Sequence, residues 1–134
     1  MKVYEFNPVI YPFKLWIVVE KTPEGIPEHF LGHDNLPIVN VVQDTKKLAA
    51  FTMIAVKKEN KHRGALMYFR NRRMMDFELV AHESSHAAKF LFDHIGAEIK
   101  DHEPFEYALG WIAGCCEKVK KDRTCKENLK MLRR

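Results

Sequence analysis

The spacing of apolar residues changes near residue 76. Before that point, short β-branched and aromatic runs alternate with turn residues. The clearest is residues 13–20, which predicts a strand lying between Pro12 and Thr22-Pro23-Glu24-Gly25. Residues 48–57 and 65–69 read the same way, with a turn over 60–64, and 38–42 suggests a shorter strand. Residues 26–37 carry Pro27, Gly32 and Pro37 and read as an irregular excursion with room for one helical turn. After that point Phe77, Val80, Ala81, Ala88, Leu91, Phe92 and Ile95 fall on one helical face. Asp76 is placed to cap this helix and Gly96 to stop it. A second helix should start near 101–104, since Pro104 costs nothing in a first turn. Phe105, Ala108, Leu109, Ile112 and Val119 continue its apolar face. The expected fold is therefore α+β: a small, twisted, mostly antiparallel sheet over 1–70 packed on a helix over 76–95. A second helix over 101–120 and a basic tail over 121–134 follow.

A chain of 134 residues is the size of one domain, and no linker or repeat divides it. About two-thirds of the unfolded surface can be buried at this length, so one core suffices without staples. Cys115, Cys116 and Cys125 are too few and too odd in number for a disulfide framework. The apolar run at 15–19 is far short of a membrane span, and Lys2, Glu5 and Pro8 do not resemble a signal peptide. The expectation is a cytoplasmic protein with no membrane partner. The net charge of +4 comes from clusters at 57–63, 70–73 and 118–134. None coincides with a recognisable nucleic-acid module, so these are read as solvated faces and nucleic acid as an unlikely partner.

Within the first helix stands His82-Glu83-Ser84-Ser85-His86, a pattern of the form HExxH. Residues i and i+4 share a helical face, so two imidazoles can converge on one Zn²⁺. Glu83 projects beside that face, where it can reach a water on the metal rather than the metal itself. A catalytic zinc site usually has three protein ligands. Asp93, Glu98, Asp101, His102, Glu103 and Glu106 all follow within reach in sequence, while His94 lies too far along the same helix. The chain length needed to return to the metal mildly favours Glu106. Tyr68, Tyr107, His94 and His102 are candidates for an oxyanion donor, and the sequence does not choose among them.

His82-Glu83-x-x-His86 followed by Glu103 on a second helix resembles the gluzincin metallopeptidases. The string Glu103-Pro104-Phe105-Glu106-Tyr107-Ala108-Leu109-Gly110-Trp111 is similar to a pattern in small gluzincin-like proteins encoded by bacteriophages and prophages. The resemblance is specific over residues 76–114. It implies His82, His86 and Glu103 as zinc ligands and Glu83 as the catalytic carboxylate, so that Glu106, which chain length favours, becomes the alternate third ligand. It also implies a close approach of Gly110 to the motif helix. Better-known gluzincins carry an acidic residue four positions after the ligand glutamate. Here that position is Tyr107, whose hydroxyl would orient a ligand or serve as the oxyanion donor.

The resulting expectation is a zinc-dependent peptidase that hydrolyses peptides or proteins, with Zn²⁺ as cofactor and Glu83 as general base. The rival expectation is a zinc-binding phage accessory protein with little or no turnover, acting through protein partners. Cys115 and Cys116 are expected as buried thiols at a helix contact. Phe13, Trp16, Phe51, Tyr68 and Phe69 are expected in the sheet core.

Overall fold

The computed structural model describes residues 1–39, 48–100 and 102–122. Five strands form one mixed sheet: β1 (Val3–Phe6), β2 (Lys14–Val19), β3 (Phe30–Leu31), β4 (Ala50–Lys57) and β5 (Arg63–Phe69). Their order across the sheet is β1-β2-β5-β4-β3. β2 and β5 are parallel; the other neighbouring pairs are antiparallel. The sheet is thus mostly antiparallel but has a parallel centre. That centre explains why Leu15–Val19 is apolar without alternation. Leu15 and Ile17 face one core, Trp16 and Val18 the other, and a strand covered on both faces needs no polar side.

The two cores differ in cover. On one face lie α2 (Phe77–Ile95) and α3 (His102–Lys120), packed on Leu15, Ile17, Ala65, Met67 and Phe69. On the other, the single-turn helix α1 (Ile26–His29) and the strand after it bring Ile26 and Phe30 over Trp16, Leu66 and Tyr68. β1 and β3 were not evident in the sequence, because both are short strands at the sheet's edges. Of the expected strand over 38–42, Ile38 and Val39 are not in a strand and residues 40–42 lie outside the described residues. The tail beyond residue 122, with Cys125, also lies outside them, as does Asp101.

α2 begins and ends as its sequence dictates. The Asp76 carboxylate accepts from Leu79 N–H at 2.8 Å. Gly96 takes the left-handed conformation (φ 72°) and its N–H bonds back to the last turn. Phe77 departs from expectation: it is 93% exposed. It lies beside the last turns of α3, in a shallow groove with Gly114, Glu117 and Lys120 that leaves the ring open to solvent.

α3 follows α2 directly and runs antiparallel to it. The Phe105 ring packs edge-on against Phe92, with centroids 5.4 Å apart. Towards the opposite end of the pair, Cys116 Sγ lies 4.0 Å from Ser84 Oγ. Cys115 and Cys116 are buried as free thiols, as their small-residue surroundings suggest. No helix among the described residues is long and apolar enough to cross a membrane.

Candidate metal centre

Ser84, Ala88 and Phe92 turn towards the core and α3, and all three are buried. At about 100° per residue, His82 and His86 lie roughly opposite Ser84 on the helix. Both imidazoles are accordingly exposed. They converge: the two Nε2 atoms are 3.3 Å apart and the rings meet at 76°. That separation has a chemical meaning. Two nitrogens bound to one tetrahedral Zn²⁺ at about 2.0–2.1 Å stand about 3.3–3.4 Å from each other. The imidazole pair therefore fits two corners of a zinc tetrahedron. The same separation also suits a long N–H···N hydrogen bond between the two rings.

Glu83 lies between the imidazole face and the sheet, and only 6% of it is exposed. Its Oε2 accepts from Thr52 Oγ1 at 2.6 Å. Thr52 is in β4, where Phe51, Met53 and Ala55 face the other core and Ala50 faces α2. Alternation therefore aims Thr52 at the motif helix. The sequence held one weak sign of this contact, a hydroxyl residue on the core-facing side of a strand. Nothing local links two residues thirty-one positions apart.

His82 and Glu83 border an open depression of 490 Å³ whose other lining residues are Ala49, Met74, Asp76, Glu78 and Leu79. Among the described residues, three carboxylates and no lysine or arginine line it, a lining that suits a cation. Beside it, β4 pairs outwardly with β3 only at Val56 and Lys57. Among the described residues, 50–55 have no strand on that side, which leaves backbone N–H and C=O groups at the rim of the depression.

Other candidates lie elsewhere. Glu103 and Glu106 are exposed on the first turns of α3. The antiparallel pairing that sets Phe105 on Phe92 puts Glu103 near the level of His94, roughly 12 Å along α2 from His86. It also puts α3 on the side of α2 turned away from the imidazoles. Among the described residues no group of three His, Cys, Asp or Glu side chains comes together. The reason is the length of α2, which runs on to Ile95 before the chain turns. Gly110 makes no close approach either: a Cβ built there meets nothing within 4 Å.

The proposed oxyanion donors are also displaced. Tyr68 is buried in the core on the far face of the sheet, where its hydroxyl donates to Glu20 O at 2.8 Å. Tyr107 is 75% exposed and lines an apolar groove with Val9, Ile10 and Trp111. His94 packs on Phe13 with ring centroids 4.9 Å apart, and His102 is exposed at the start of α3. Cys116 lies beside Ser84, on the side of α2 opposite the imidazoles, and burial pushes its thiol up to about 12 and that of Cys115 to about 11. No protein family, curated protein or solved structure matches the chain.

Proposed function

We propose that this chain is a zinc-dependent hydrolase of peptide bonds, built on His82 and His86 with Glu83 as general base. The observation that carries the reading is the 3.3 Å separation of the two Nε2 atoms beside a buried carboxylate. Among the described residues, the acidic lining of the depression supports a cation there, and the uncovered edge of β4 supports an extended peptide lying alongside.

Zinc, when bound, lowers the pKa of a coordinated water towards about 7 and polarises a carbonyl oxygen. His82 and His86 would hold it through Nε2. Glu83 would take a proton from the attacking water and pass it to the leaving amine. The edge of 50–55, which no strand covers among the described residues, would hold the substrate backbone straight across the carboxylate. Glu103, the third ligand that the resemblance to gluzincins implies, would join the two histidines only if the first turn of α3 moved onto the imidazole face.

A second reading, a zinc-binding accessory protein without turnover, is favoured by the positions of Tyr68 and Tyr107 away from the imidazoles. One series separates the two. Metal analysis of the purified protein should find about one zinc per chain, and His82→Ala or His86→Ala should lower zinc affinity at least about a hundredfold. Undiminished zinc in the double variant would refute the metal centre. Zinc-dependent cleavage of a mixed peptide library, lost in Glu83→Gln at full zinc content, supports the hydrolase. No cleavage by the zinc-loaded wild type favours the accessory reading.

A further inference from the structure

We propose that Thr52 is a positioning residue for Glu83. It pins one carboxylate oxygen so that the other is presented to the depression beside His82. The proposal rests on the metal-centre reading above.

The contact is short. Thr52 Oγ1 to Glu83 Oε2 is 2.6 Å, within the range of hydroxyl bonds to charged acceptors. The same oxygen lies 3.3 Å from the Glu83 backbone carbonyl, so Thr52 sits against both the side chain and the main chain of one residue. A hydroxyl has a single proton, and the shorter, charge-assisted contact takes it. The support is rigid. β4 is paired with β5 from Ala50 to Val56, and a β-branched side chain has few rotamers to choose from.

The choice of partner is informative. Glu83 is buried, and among the described residues no lysine, arginine or histidine forms an ion pair with it. A carboxylate buried for stability would be expected to have such a partner, or to be replaced by an apolar residue. A hydroxyl orients a carboxylate without neutralising it. It also occupies only one of the two oxygens, and the residue still borders the depression. Holding a reacting group within a fraction of an ångström of its working position is worth orders of magnitude in rate.

The test uses the full chain, zinc-loaded, as wild type, Thr52→Val, Thr52→Ser and Glu83→Gln. Thr52→Val keeps the shape and removes the donor; Thr52→Ala serves if the valine variant does not fold. Zinc dissociation constants should agree within about twofold across the set, because Thr52 touches no ligand. For peptide cleavage, Thr52→Val should lower kcat about 10–100-fold with KM within about twofold, and Thr52→Ser should return kcat to within about threefold of wild type. A second readout does not need turnover. Acetohydroxamic acid binds zinc as its anion and gives its proton to an adjacent carboxylate, so its dissociation constant should rise about tenfold in Thr52→Val and recover in Thr52→Ser.

If the wild type binds zinc and Glu83→Gln weakens hydroxamate binding while Thr52→Val does not, the proposal is overturned and the metal centre stands. If the wild type binds no zinc, the reading itself fails and Thr52 loses this role with it. If zinc binds but no peptide is cleaved, the hydroxamate series decides alone.

Discussion

At the scale of single residues, Glu83 works against the fold that carries it. A carboxylate only 6% exposed, with the Thr52 hydroxyl as its side-chain partner among the described residues, gives up hydration that a neutral side chain would not miss. Glu83→Gln should therefore raise the melting temperature of the metal-free protein by about 2–6 °C while abolishing cleavage. Thermal unfolding and peptide assays on the same sample check both, and a fall in melting temperature would contradict it. The ligands give a second expectation. Glu103→Ala and Glu106→Ala should change zinc affinity less than about tenfold, against at least about a hundredfold for either histidine, because α3 starts at the far end of α2. A loss in Glu103→Ala as large as in His86→Ala would show that α3 closes onto the metal. His82, Glu83 and His86 were legible because helical geometry makes their relation local. Thr52 was not, because its partner is set by how β4 crosses α2. Tyr68 lies in the sheet core as expected, but on the face away from the motif helix: alternation says that neighbouring strand residues face opposite ways, not which way that helix lies.

At the scale of elements, the sequence marked α2, α3 and the central strands, and missed the pairing at the centre. Parallel contact between β2 and β5 joins segments separated by α1, β3 and β4, so no local turn announces it. Gly64 is where that pairing is tightest. A Cβ there would collide with the Lys14 carbonyl and come within 2.8 Å of the Trp16 ring. Gly64→Ala should cost about 2–3 kcal/mol in denaturant unfolding, since backbone cannot yield as a flexible side chain does. The outer strand β1 carries a pH-dependent tie. Glu5 accepts from Trp16 Nε1 at 2.8 Å, and that bond, with Lys57 nearby, holds its carboxyl below the ordinary value. A lowered carboxylate stabilises the fold above its unfolded pKa of about 4.3, and the contribution fades as pH falls through the folded value. Unfolding curves between pH 6 and 3 should therefore be flatter for Glu5→Gln than for wild type; identical slopes would count against this tie.

At the scale of the whole molecule, the two halves of the chain are joined where β1 meets the end of α3. The Tyr4 hydroxyl donates to Asp122 at 2.6 Å and accepts from Arg72 at 2.8 Å, while Lys2 pairs with Asp122 at 3.0 Å. Arg72 also donates to the Val119 carbonyl at 3.3 Å. Removing the hydroxyl alone, in Tyr4→Phe, should cost about 1–2 kcal/mol by denaturant unfolding, because a partly buried carboxylate and guanidinium lose a shared partner. This junction depends on α3 lying flat against the sheet, and the molecule carries its own gauge of whether it does. Cys115 and Cys116 sit on the inner side of that helix, their thiols raised to about 11 and about 12. Burial holds both thiols above the ordinary cysteine value and out of reach, so an alkylating reagent at pH 8 meets little that is reactive while the helix is seated. In a Cys125→Ser background, the rate at which iodoacetamide consumes these two thiols is thus a clock for α3 lifting off, one that zinc, peptide or a partner protein would each be seen to slow or quicken.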